Sequence, residues 1–263
     1  MTNSDRIVEI KTVQSNAIRI LFEALKDILT DVNLQISSEG LKIISMDGSK
    51  QAVVNLKLEA NKFEKFDCKN SIRAGLNMTS LYKIIKSVKN SDIITMYITE
   101  SNTTKLNIEI ENKEKKTNIL TVLKLLDIDE DILDIPNIEF DTVKTMPSND
   151  FQKSCRDMAQ IADNMEIKSV GNQLIFRCKG EFATQDTIIG ETHTGMSFIQ
   201  NSNPEEVVQG VFALKHLVLF TKCTNLCQQI ELYLKNDYPL IIKYQVASLG
   251  NVKLCLAPKA NNL

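Results

Sequence analysis

Short runs in which every second residue is apolar dominate this chain, and they commit most of it to half-buried antiparallel strands. "VNLKLE" (54–59), "KLNIEIEN" (105–112), "NQLIFRC" (172–178), "LIIKYQVA" (240–247) and "NVKLCLAP" (251–258) all alternate in this way. A period of two puts one face on a core and the other in water. Turn signals separate such runs, at "SEG" (38–40), "MDGS" (46–49), "GN" (171–172) and "LGN" (249–251). Only four segments carry helical periodicity, at 15–29, 77–89, 148–162 and 212–222. The expected class is α+β, with antiparallel sheets and few helices.

Those four helices form two pairs, and the pairs point to an internal repeat. "SNAIRILFEALKDIL" (15–29) overlays "SNDFQKSCRDMAQIA" (148–162) without a gap, setting Ile18, Phe22, Leu25 and Ile28 on Phe151, Cys155, Met158 and Ile161. Leu81 likewise falls on Leu217 and Lys86 on Lys222, and the same register carries "IITMYI" (93–98) onto "QIELYL" (229–234). Each half reads helix, strands, helix, strands. Between them lies the acidic and apolar "LDIDEDILDIPNIEFD" (126–141), stopped by Pro136. The expected divisions are a first domain at 1–125, a linker at 126–142 and a second domain at 143–263.

Each predicted helix carries cations beside its apolar stripe. The pairs are Arg19 and Lys26, Lys83 and Lys86 (with Lys89 continuing the line), Lys153 and Arg156, and Lys215 and Lys222. Spacings of three and seven place each pair on one helical face. A single helix of this kind needs only solvation to explain it, but four of four is a pattern. Glu23, Asp27 and Asp157 dilute it. The net charge of -2 gives no hint of a polyanionic partner, so any such signal must lie in how charge is distributed.

The remaining composition excludes several classes. Hydrophobic residues at 43% and charged residues at 24% describe a globular chain. No apolar run is long enough to span a membrane, and "MTNSDRIVEIK" lacks a secretory leader, so the expected location is inside a cell. Cys68, Cys155, Cys178, Cys223, Cys227 and Cys255 read as reduced thiols rather than a disulfide framework. "DIDED" (127–131) reads as solvated charge rather than a metal cluster, and Cys223 with Cys227 lacks the further ligands zinc requires. His193 and His216 are the two histidines, and no P-loop, GxGxxG or GxSxG occurs. The expectation is a protein that is not an enzyme, with no metal and no cofactor. "NKEKK" (112–116) reads as a hairpin turn.

From about Ile7 to Lys259 the chain resembles the DNA sliding clamps of eukaryotes and archaea, the proliferating cell nuclear antigen family. The resemblance rests on "FEALKDIL", "SMDGSKQAVVNLKL", "NMTSLYKIIK", "NSDIIT", "MPSNDFQKSCRDMAQIAD", "FALKHLVLFTK", "YPLIIKY" and "LAPK", in that order. It implies two sliding-clamp domains per subunit, antiparallel sheets outside, and two helices per domain lining the central hole of a three-subunit ring. Arg19, Lys26, Lys83, Lys86, Lys153, Arg156, Lys215 and Lys222 match the family's positively charged channel positions. They are the expected contacts to double-stranded DNA, binding phosphate without reading sequence.

The resemblance also implies a pocket for the apolar side chains of a partner's peptide motif. Met46, Val53, Leu133, Ile135, Pro239, Leu256, Ala257 and Pro258 are its matching positions. Cys255 stands where the family usually has a tyrosine. Expected partners are a DNA polymerase, a clamp loader, a ligase, nucleases and two further copies of the chain, with no membrane. Edge strands near 116–125 and 180–188 are the expected subunit contacts. A DNA-binding accessory subunit that never closes a ring, or one member of a heteromeric damage-checkpoint clamp, would share these features. Lys, Asn and Ile are abundant, as in an AT-rich genome of a protist or large DNA virus. The expected workplace is the nucleus or a cytoplasmic viral replication compartment.

Overall fold

The computed structural model describes residues 5–129, 133, 138–201 and 207–259. Contacts divide the chain into two compact units, one of Met1–Gly48, Val54–Leu133 and Val246–Val252, the other of Ser49–Val53, Asp134–Gln245 and Lys253–Leu263.

The first unit runs β1 (Arg6–Thr12), α1 (Ser15–Leu25), β2 (Asp31–Ser37), β3 (Gly40–Met46), β4 (Ala52–Glu59), β5 (Lys65–Cys68), β6 (Ile72–Asn77), α2 (Met78–Ile85), β7 (Asp92–Thr99), β8 (Asn102–Asn112) and β9 (Thr117–Lys124). The second runs β10 (Thr142–Pro147), α3 (Ser148–Met158), β11 (Asn164–Val170), β12 (Gln173–Lys179), β13 (Thr184–Gly190), β14 (Ser197–Asn201), β15 (Val208–Ala213), α4 (Leu214–Phe220), β16 (Gln229–Leu234), β17 (Leu240–Val246) and β18 (Gly250–Leu256).

The two orders are the same, and so is the pairing. In the first unit the strands are ordered β5-β1-β7-β8-β9 and β6-β2-β3-β4; in the second, β14-β10-β16-β17-β18 and β15-β11-β12-β13. The repeat suggested by scattered matches is therefore a full duplication of topology. Its anchors are buried at equivalent places. Ile18, Phe22 and Leu25 line the core of one unit, and Phe151, Cys155 and Met158 that of the other. Ile161, matched to buried Ile28, is only half-buried.

Three local features depart from the expected pattern. The first helix stops at Leu25, where the Ile28 and Leu29 amides both turn back to the Leu25 carbonyl in tight turns. The fourth begins at Leu214 rather than residue 212, because Phe212 and Ala213 still pair with Met165 and Asn164 of β11. It then tightens to a 3-10 turn over Thr221–Leu226. Finally, β7 is buried on both faces. Its outer side is covered by Arg6, whose guanidinium lies 3.8 Å from the Tyr97 ring centroid and 2.9 Å from Glu9. A long charged side chain laid over a strand excludes water as an apolar one would.

The sheet edges are treated unequally. The Leu126 amide donates to the Gly75 carbonyl and covers β6, and the Lys259 amide donates to Val211 and covers β15. A side chain at position 75 would meet the Leu126 carbonyl, since a Cβ there would sit 2.1 Å from that oxygen. In the first unit Glu59 donates to Leu249, and in the second Ala257 donates to Gln51, so neither β4 nor β18 presents a free edge. β5 has four residues and β14 five. That leaves β9 and β13 as long outer strands, with Ile119 (54%), Leu120 (55%), Val122 (49%) and Ile188 (62%) exposed. Exposed apolar edges of this length are aggregation hazards unless another strand covers them.

Candidate functional site

α1 and α2 pack together in the first unit, as do α3 and α4 in the second. Each buries one apolar stripe and leaves its cations beside it. On α1 the stripe is Ile18, Leu21, Phe22 and Leu25, and both flanking cations are held locally. Arg19 donates to Glu23 at 2.9 Å and to Asn16 at 2.8 Å; Lys26 reaches Asp27 at 2.7 Å and the Tyr82 ring of α2 at 5.2 Å. α2 starts where the Asn77 side chain accepts the Ser80 amide at 2.9 Å, an N-cap that satisfies one of the helix's open donors. From there Lys83 and Lys86 project into solvent, with no carboxylate within ion-pair distance among the described residues.

In the second unit Lys153 pairs with Asp157 at 2.8 Å on the exposed side of α3. Arg156 and Lys215 are exposed with no ion pair among the described residues, and Lys222 is exposed on the 3-10 turn. The change to 3-10 winding begins only at Thr221, so most of the step from Lys215 to Lys222 is α-helical, and seven residues at 3.6 per turn are close to two whole turns. Fully exposed pairs such as Lys153–Asp157 are screened by solvent and add little stability, so such a lysine exchanges a carboxylate for another anion at little cost. The result is exposed cations on α2, α3 and α4 and its 3-10 extension, with the two of α1 half-buried and engaged locally.

The eight apolar positions are less uniform. Met46 ends β3 and is 39% exposed, while Pro239 and Ala257 are exposed, and Val53, Leu133 and Pro258 are half-buried. Ile135 lies outside the described residues. Leu256 is 1% exposed, so it supports the surface from beneath and offers nothing for a peptide to touch. That is a correction to its expected role, and it follows from strand parity, since Val252, Leu254 and Leu256 all face the core. Burial pushes the half-buried Cys255 thiol up to about 11, leaving it neutral at physiological pH. Among the described residues no three His, Cys, Asp or Glu side chains converge as metal ligands, and no helix is long and apolar enough to cross a membrane.

Residues 7–132 match the family model for the proliferating cell nuclear antigen N-terminal domain, and residues 134–259 match that for its C-terminal domain. The chain belongs to the proliferating cell nuclear antigen family. It is also 36% identical over 262 residues to "Probable DNA polymerase sliding clamp 1" of Paramecium bursaria Chlorella virus 1, covering 98% of this chain and 99% of that protein.

Two features of this proliferating cell nuclear antigen homologue escaped sequence reading. His216 is buried, with Nε2 3.2 Å from the Ser49 hydroxyl, tying α4 to the segment ahead of β4. No spacing rule flags a lone histidine of that kind. Tyr238 is 39% exposed beside Pro239, with Lys235 5.7 Å from its ring centroid. An aromatic preceding proline in a polar turn was the available signal.

Proposed function

We propose that this chain is a DNA sliding clamp, a non-catalytic processivity factor that closes as a homotrimer around duplex DNA. The observation that carries the reading is the duplicated topology, matched along both halves to one clamp family, with cations beside the apolar stripe of all four helices. Lysines scattered along helices neutralise phosphates without reaching base edges in a groove, which favours sliding over sequence reading. Arg19, Lys26, Lys83, Lys86, Lys153, Arg156, Lys215 and Lys222 are the proposed contacts. The work is done in a nucleus or a viral replication compartment.

Ring closure is assigned to β9 of one subunit and β13 of the next, because these long strands expose apolar side chains. Light scattering over a concentration series is expected to give three times the chain mass of 29.6 kDa. Leu120→Pro, which removes a backbone donor from β9, is expected to yield folded monomers. A wild-type protein that stays monomeric at micromolar concentration would sink the ring.

Polymerase, loader, ligase and nucleases are proposed to dock through a short peptide at Met46, Val53, Leu133, Ile135, Pro239, Ala257 and Pro258. A peptide with an aliphatic anchor followed by two aromatics is the expected ligand, since buried anchors supply most of such affinity. Ile135→Asp would set an unpaired charge against them, and calorimetry is expected to record at least about a tenfold loss of affinity. Unchanged affinity would move the partner site elsewhere.

A further inference from the structure

The outward face of β6-β2-β3-β4 carries a second set of cations. Arg73 of β6 stands opposite Gln35 of β2, and Gln35 stands opposite Lys42 of β3. Lys57 of β4, the next strand, lines the same groove of about 470 Å3. All three cations are exposed and, among the described residues, none has a carboxylate within ion-pair distance. Leu41, Ile43, Leu56 and Leu58 alternate with them into the core, so the row is fixed on the outer face by strand parity.

The duplication supplies an internal control. The equivalent row of the second unit is Gln209, Lys168, Ile175 and Ile188. It holds one cation, Lys168, and that one is neutralised by Glu166 at 3.0 Å. The fold therefore needs no uncompensated charge at this place. Three cations with no ion pair among the described residues on one copy answer to something outside it.

We propose that this row is a docking site for an acidic peptide in extended conformation, with carboxylates at alternate positions. Strands lie about 4.8 Å apart, so a row across four strands spans about 14 Å. Side chains on one face of an extended peptide repeat about every 6.8 Å, so three alternate acids cover the same span. Arg73 gives a bidentate fork for one carboxylate, and Lys42 and Lys57 give point charges for the others. Gln35, Ser37 and Ser71, also in the groove, supply neutral hydrogen-bonding groups for a peptide backbone.

A nucleic-acid strand is disfavoured by the surroundings. On one side of the row the next outward residues of β2, β3 and β4 are Asn33, Ile44 and Asn55, which carry no charge, and on the other side β4 ends in the exposed Glu59. Glu39 sits on the rim. The Asn33 side chain holds the Ile128 carbonyl at 3.1 Å, which brings Asp127 and Asp129 to the far side. The positive field is confined to one row between acidic flanks, enough for a short acidic stretch and too narrow for a continuous phosphodiester.

The test uses the full chain and a fluorescein-labelled peptide alternating glutamate with serine, read by anisotropy beside its glutamine counterpart. The glutamate peptide is expected to bind at least about tenfold more tightly than the glutamine peptide. The triple variant Lys42→Gln, Lys57→Gln, Arg73→Gln should erase that difference while its melting temperature holds, because all three side chains are exposed. Lys83→Gln with Lys86→Gln on α2 should leave it intact, which keeps this site independent of the clamp reading. Equal binding of the two peptides by the wild type, or undiminished binding by the triple variant, would overturn the proposal. Tighter binding of a single-stranded oligonucleotide, lost in the same triple variant, would overturn it in favour of nucleic acid.

Discussion

Loaded onto a nicked circular duplex, the protein is expected to stay bound at salt concentrations that strip it from linear DNA. Contact with phosphate alone is salt-sensitive, because each neutralised phosphate releases condensed counterions that added salt opposes. With about 6–10 such contacts, affinity falls by roughly 10³–10⁵ between 50 and 200 mM salt. A closed ring is held by topology instead, and screening does not act on linkage. Cutting the circle should then release the protein off the ends, which a contact-held binder would not show. Lys83, Lys86, Arg156 and Lys215 are the residues to reverse, since none has an ion-pair partner among the described residues to lose. Changing all four to Glu is expected to impair loading and sliding while light scattering still reports the wild-type oligomer. Loss from intact circles as fast as from linear DNA, with the oligomer preserved, would refute the mechanism.

Strand parity carried most of the fold into the sequence. "VNLKLE" and "NVKLCLAP" alternate as they do because Val54, Leu56 and Leu58, and Val252, Leu254 and Leu256, all face the core. The family resemblance misled at Leu256, whose place in a recognisable motif suggested contact although its strand parity already indicated burial. Helix limits were less legible. Residues 26–29 keep the apolar spacing of α1 after its hydrogen bonding has tightened, and "VFA" (211–213) is apolar enough for helix or strand until β11 pairs with it. The cations of the helices were visible as spacings, but their partners were not. Arg19 and Lys153 meet acids one turn away, whereas Lys83 and Lys86 meet none among the described residues. The basic row on the outer sheet could not be read at all, because Lys42, Lys57 and Arg73 come from three separate strands whose register only the fold supplies.

Lys144 was equally hidden, and it makes stability depend on pH near neutrality. Nothing in "TVKTM" (142–146) marks its lysine as buried, yet Lys144 lies between Thr142 and Met146 on the buried side and is 0% exposed. Its ammonium donates to the Gln173 carbonyl at 2.6 Å and sits 4.4 Å from the Phe198 ring centroid. These contacts, with Glu191 as the nearby charge, offset only part of the cost of burial, which brings the amine down to about 7. In the unfolded chain a lysine keeps its proton to about pH 10.4, so between the two values the unfolded state binds more protons. Stability should therefore rise with pH from about 7 upward, by about 2 kcal/mol per 1.5 pH units at 1.36 kcal/mol each. Buried thiols act the other way. Burial raises Cys155 and Cys223, so their contribution is lost as unfolded thiols ionise above about pH 8.5. The clean window is about pH 7 to 8.5. Lys144→Met keeps the length of the side chain without its charge, and the denaturation midpoint of that variant should lose most of this slope. The variant leaves the Gln173 carbonyl without its donor, costing about 1–3 kcal/mol, but that loss is independent of pH. Parallel pH profiles for wild type and Lys144→Met would show that the buried amine keeps its proton throughout.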